Sequence, residues 1–193
     1  MRLTLHRLYN CDKVFFVRDL IINFSNCTFT FKKRKNMKKT NTETIIEKLN
    51  VSGYSPKVID HDLVITMDDV VNTLDIPIAS MAKTILLSHK DVGLIAVVLP
   101  GMNKVDYSKV ANILHISRKT VKIAEQKILT SLGLNPGDIC PFYEFFQKTI
   151  VDTVLLTQKF VYCGSGDPQK TIMITPQEIV KATGAIVADA SKT

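Results

Sequence analysis

The feature that most constrains this chain is a pair of apolar runs separated by a short polar turn. Ala82-Lys83-Thr84-Ile85-Leu86-Leu87 and Gly93-Leu94-Ile95-Ala96-Val97-Val98-Leu99 flank Ser88-His89-Lys90-Asp91-Val92. Runs of β-branched and aliphatic residues bounded by turn formers predict a buried β-hairpin. Lys83 is the exception in it, one cation at the mouth of an apolar strand where neither packing nor solubility requires it. Taken alone, it reads as a solvated lysine ending a strand, the ordinary place for that residue.

A length of 193 residues suits one domain with a real core. The net charge of +7 suggests nucleic acid until it is divided along the chain. Residues 1–36 hold eight basic and two acidic residues, leaving 17 basic and 16 acidic residues for the body. A body that close to neutral is not identified as an RNA binder by net charge, although a local basic patch stays open. The first 36 residues also carry five of the nine Phe and no Gly, Pro or Ala. The expected organisation is therefore a basic extension over 1–36, disordered or foreign to the native protein, and a folded body over 37–193. The run Lys32-Lys33-Arg34-Lys35 reads as such a tail or as an RNA-contacting arm. Arg18-Asp19 interrupts the apolar residues on either side, so neither a signal peptide nor a membrane span is expected, and the expected location is the cytoplasm.

Cysteine usage agrees with a reducing compartment. Cys11, Cys27, Cys140 and Cys163 form no Cys-x-x-Cys pair, which argues against structural zinc, and no metal or cofactor is expected.

Within the body, Thr40-Asn41-Thr42-Glu43 reads as a capping box ahead of a helix that buries Ile45, Ile46 and Leu49. Lys57 to Asp62 is the first predicted strand. Thr66-Met67-Asp68-Asp69 opens a second short helix, and Asp106 caps one that buries Val110, Ile113 and Leu114. Thr120 to Ala124 reads as a strand, and Ile128, Leu129 and Leu132 mark a helix ended by Gly133. Further strands are expected at Thr153 to Leu156, Phe160 to Gly164, Thr171 to Ile174 and Gly184 to Asp189. Thr175-Pro176-Gln177-Glu178 starts the last helix, with proline in its first turn. Short strands alternating with capped helices predict an α+β domain built on a mixed, strongly curved sheet.

Four further places bear on chemistry. In Gly133-Leu134-Asn135-Pro136-Gly137-Asp138-Ile139-Cys140-Pro141, glycine permits close backbone approach to a ligand and proline removes an amide donor, although an ordinary turn has the same composition. Asp152 follows Ile150-Val151 and precedes Thr153-Val154-Leu155-Leu156, and an acid in such a run needs a partner, either in a site or in the scaffold. Gly164-Ser165-Gly166 lacks the third glycine of a dinucleotide fingerprint, and Lys170-Thr171 has no phosphate-loop glycines before it. Cys140 has no histidine near it in sequence to activate it as a nucleophile.

Lys83-Thr84, the Gly137-to-Pro141 loop and Ile150-Val151-Asp152 recur in the order found in one family. The chain resembles the YbaK/prolyl-tRNA synthetase-associated domain family of aminoacyl-tRNA editing hydrolases over about Thr40 to Ala190. The resemblance implies a sheet closed into a barrel flanked by helices and a trans-editing deacylase acting on mischarged tRNA, tRNA(Pro) carrying Cys or Ala being the expected substrate. It implies Lys83 as the catalytic residue, giving positive charge to the terminal phosphate or the forming oxyanion. Gly137 and Pro141 would hold the ester, with Asp152, Gly164, Ser165, Gly166 and His61 around the substrate. From its own position in the sequence, His61 reads more readily as an exposed strand-end imidazole. Water assisted by the substrate's own ribose hydroxyl would attack, and prolyl-tRNA synthetase is the implied protein partner. The alternatives are a non-catalytic module that binds aminoacyl-tRNA or a synthetase, and a small-molecule hydrolase on the same scaffold.

Overall fold

The computed structural model describes residues 40–64, 69, 74, 76–135, 137 and 139–192, and the backbone of 15–17, 20–23 and 28–31. The chain forms two units, 1–37 and 38–193. In the first, β1 (Phe15–Val17), β2 (Leu20–Asn23) and β3 (Thr28–Phe31) make an antiparallel sheet in that order. The basic run Lys32 to Lys35 lies outside the described residues, as does most of the helix expected after Thr66.

The second unit runs α1 (Thr42–Val51), β4 (Lys57–Asp60), β5 (Met81–His89), β6 (Gly93–Pro100), β7 (Lys104–Val105) and α2 (Tyr107–Leu114). It continues through β8 (Lys122–Ile123), α3 (Gln126–Leu132), β9 (Lys148–Asp152), β10 (Val161–Gly164), β11 (Lys170–Ile174), α4 (Pro176–Thr183), β12 (Ile186–Ala188) and β13 (Ser191–Lys192). The main sheet has the order β12-β9-β6-β5-β10-β11-β4, with β8 also paired to β5. It is mixed, since β6 with β9, β9 with β12 and β5 with β10 are parallel, and the other pairs are antiparallel. Among the described residues β12 and β4 remain its two edges, so the sheet is barrel-like but open, where the resemblance implied closure.

The hairpin predicted from the two apolar runs is β5 and β6, registered from Ala82 opposite Pro100 to His89 opposite Gly93. β6 sits in the middle, and Ile95 to Leu99 are fully buried, which is why its sequence is a continuous apolar run rather than an alternating one. Ile95, Val97 and Leu99 pack with Val110 and Ala111 of α2. His89 extends β5 past its expected end, because Nδ1 accepts from the amides of Asp91 and Val92, 3.2 Å each, and ties off the turn.

Local signals placed most helices correctly and some boundaries not. Asp106 caps α2 through the amides of Ser108 and Lys109, and Thr175 with Glu178 forms the reciprocal box of α4. At α1 the cap is Asn41 rather than Thr40, its side chain accepting from Thr44 N at 2.9 Å. Glu43 instead pairs with Lys170 at 2.8 Å. Thr120 belongs to a 3₁₀ turn, Arg118–Thr120, which leaves β8 only two residues. Phe145 is buried and stacks on Tyr143 with ring centroids 5.0 Å apart, whereas Phe142 and Phe146 are partly exposed. No helix among the described residues is long and apolar enough to cross a membrane.

Candidate active site

Lys83 is the third residue of β5, one step further into the strand than the rim the sequence suggested. It lines a cavity of about 500 Å³ that lies where β5 separates from its neighbours on the side away from β6. One wall is β10 with the start of β11, contributing Tyr162, Cys163, Gly164 and Thr171. The opposite wall is β8 and α3, contributing Ile123, Ala124 and Leu129. Gly137 and Ile139 of the loop also line it, with Val64, Gln126, Asp167, Pro168 and Lys170. Most of this surface is apolar, with a few polar groups set into it, the usual composition of a small-ligand site.

Burial holds the Lys83 ammonium below the ordinary lysine value of 10.5, and the charge of Lys104 adds to the effect. Among the described residues no side-chain hydrogen bond or ion pair takes up the Lys83 charge. Lys170, the second cation on the lining, is tied to Glu43.

Gly137 and Gly164 are linked by packing. Gly137 has φ +90°, a left-handed conformation that favours glycine. A Cβ on Gly164 would lie 3.2 Å from the Ile139 carbonyl oxygen and 3.8 Å from that of Gly137. The absence of a side chain on β10 therefore lets the loop backbone settle against the strand and reach the cavity.

The other residues singled out from sequence fall elsewhere. Within the loop, Cys140 and Pro141 are buried and do not line the cavity. Cys163 does line it, but burial pushes its thiol well above 9.0, with Cys140 adding to the shift, so it is a poor nucleophile near neutral pH. Ser165 is fully buried, donates to Lys170 O at 2.7 Å and accepts from Asp167 N at 3.1 Å, pinning the turn in which Gly166 takes φ +91°. His61 stands one residue behind the cavity, with Nε2 2.9 Å from Thr171 Oγ1.

Asp152 is also fully buried and lies outside the lining. The strand expected after it is a 3₁₀ turn, Thr153–Thr157, and the strand is β9 before it. Asp152 causes the change of element: one oxygen caps the turn through Val154 N at 2.9 Å. The other accepts from Ala190 N at 2.9 Å, anchoring the C-terminal segment.

Sequence reasoning missed Tyr162, Thr171, Ile123 and Leu129, which carry no signal beyond ordinary strand and helix patterns. Thr84 had a signal, its place beside Lys83, but its role was not read. Among the described residues no group of three or more His, Cys, Asp or Glu side chains is placed to hold a metal ion.

Comparisons with known proteins bear on this arrangement. A hypothetical protein, APE2540, shares the fold with a TM-score of 0.69 at 24% identity, over 77% of this chain and 99% of its own. A candidate trans-editing enzyme for prolyl tRNA synthetase matches with a TM-score of 0.67 at 20% identity, over 80% of this chain and 99% of its own. At these identities the likeness speaks for the fold. The family model for the aminoacyl-tRNA editing domain matches residues 61–182, which include Lys83, the Gly137 loop, Asp152 and Gly164. The chain belongs to the aminoacyl-tRNA editing domain family, the YbaK family that its motifs resemble.

Proposed function

We propose that this protein is an aminoacyl-tRNA deacylase that edits in trans in the cytoplasm, hydrolysing the ester of mischarged tRNA(Pro) bearing Cys or Ala. The observation that carries the reading is Lys83: a partly desolvated cation without a side-chain partner among the described residues, on the wall of a cavity of about 500 Å³. In a low-dielectric site such a charge acts more strongly on developing negative charge than it would in water.

Water, assisted by the neighbouring ribose hydroxyl, adds to the acyl carbon, and Lys83 stabilises the resulting oxyanion. The bond between that carbon and the ribose oxygen then breaks, the oxygen takes up a proton, and free amino acid leaves an uncharged tRNA. Gly137 and Gly164 hold the loop backbone close to the ester. The apolar wall of Ile123, Leu129 and Ile139 limits side-chain size. His61, through Thr171, and Ser165 with Gly166, through their turn, set the position of the β10–β11 wall. Asp152 and Pro141 act on the scaffold behind it. Prolyl-tRNA synthetase is the protein partner this reading implies.

The test is single-turnover deacylation at saturating enzyme over a panel of charged tRNAs that includes Cys-tRNA(Pro) and Ala-tRNA(Pro). Hydrolysis of one or both, lost in Lys83→Ala, is the expected result. Binding of the panel without hydrolysis of any member would replace this reading with the non-catalytic module.

A further inference from the structure

β5 is paired by β6 along almost its whole length, and among the described residues its other edge is covered by strands only toward the ends. β10 runs beside Met81 and Ala82, and β8 runs beside Leu87 and Ser88. Successive residues of a strand send their N–H and C=O groups to alternate edges. The Leu86 carbonyl points to the β8 side, where it accepts from Ala124 N at 2.9 Å. The N–H and C=O of Thr84, two residues earlier, therefore face that same edge, where no strand lies opposite among the described residues. From Ala82 to Leu86 is roughly 13 Å at about 3.3 Å per residue, and Ala82 and Leu86 are both engaged, so the gap is one residue long.

The Thr84 side chain adds a third group. It is 8% exposed and lines the cavity, and its Oγ1 is a buried polar atom with no hydrogen-bond partner among the described residues. Burying a hydroxyl unpaired costs stability, and a valine of the same shape would avoid the cost. Among the described residues one residue thus presents a backbone donor and acceptor on a stretch of edge with no strand registered opposite, and an unpartnered hydroxyl, at the middle of a mainly apolar wall.

We propose that Thr84 is the docking point of the aminoacyl group. The inference rests on the deacylase reading and specifies how that site holds its substrate. The α-ammonium donates to the Thr84 carbonyl and the ester carbonyl accepts from the Thr84 amide, so the bound amino acid fills the gap as a single-residue strand. Thr84 Oγ1 supplies a third hydrogen bond to the same group. The contacts use atoms that every amino acid shares, and side-chain choice is left to the size of the cavity. A substrate whose α-amino group is blocked loses the charged donor. Lys83, the preceding residue of the same strand, lines the same cavity.

The experiment compares Thr84→Val and Thr84→Ser in single-turnover deacylation, using aminoacyl-tRNA and its N-acetylated form. It also follows Thr84 amide exchange by NMR with 3′-alanylamido-3′-deoxyadenosine, a non-hydrolysable probe. Thr84→Val should slow deacylation roughly tenfold while melting no lower than wild type, and Thr84→Ser should stay within about threefold of wild type. Wild-type protein should hydrolyse the N-acetylated substrate roughly tenfold more slowly, and the probe should slow Thr84 amide exchange. An active wild type whose Thr84→Val variant is equally fast, or a saturating probe that leaves the Thr84 amide unprotected, overturns this inference alone. A wild type that hydrolyses no charged tRNA overturns the deacylase reading and this inference with it.

Discussion

Gly164→Ala isolates the contact between β10 and the loop, because the structure sets the size of the disturbance. The new Cβ would meet the Ile139 carbonyl oxygen at 3.2 Å, where ordinary van der Waals contact begins at 3.4 Å. The loop must retreat by about 0.2 Å, since the obstacle is backbone and has no rotamer to change. A misplacement of about 1 Å at a reacting group costs roughly a hundredfold in rate, so 0.2 Å corresponds to about two- to threefold. Stability should move little. The strain opposes a gain of about 0.4–1 kcal/mol from the lower chain entropy of alanine when unfolded. Gly164→Val places further carbons against the same carbonyl and should approach the hundredfold loss. The assay is single-turnover deacylation beside thermal melting for both variants. A Gly164→Val protein that melts like wild type and deacylates at its rate would refute the claim that this glycine positions the loop.

Lys83→Ala should slow deacylation by at least about a hundredfold with melting hardly changed, and Lys83→Arg should also be impaired because its planar head group is wider. If the charged form is the active one, the rate should fall as pH rises through a Lys83 value depressed below 10.5, and titration of the rate from pH 7 upward measures it. The same depression means the unfolded chain binds that proton more tightly, so Lys83 weakens stability below its folded value and this penalty fades above it. Asp152→Asn should cost about 1–3 kcal/mol in urea unfolding, because one of the amides of Val154 and Ala190 loses its acceptor. Its activity should fall only in step with the unfolded fraction, and complete inactivation of a normally folded variant would make Asp152 a catalytic group. A chain beginning at Met37 should be folded and as active as the full sequence. Weaker tRNA binding with a shallower salt dependence would instead assign phosphate contacts to Lys32 to Lys35.

Sequence alone determined the elements whose causes are local. The β5–β6 hairpin followed from two apolar runs and a turn, and α4 from a Thr, Pro and Glu at fixed offsets, because capping and turn chemistry act within a few residues. The motifs around Lys83, Gly137 and Asp152 were legible for the same reason, as short ordered strings. What they do in space was not. Asp152 was read as an acid before a strand, yet its second partner is an amide 38 residues away that no local pattern announces. Ser165 looked like part of a ligand loop and is consumed by its own turn. The cavity itself is a property of strand order: β10 and β8 both pair with β5 but leave Thr84 between them. Long-range pairing, which the tertiary structure alone decides, leaves an ordinary threonine on a stretch of edge with no strand opposite among the described residues, on the wall of the cavity that Lys83 also lines.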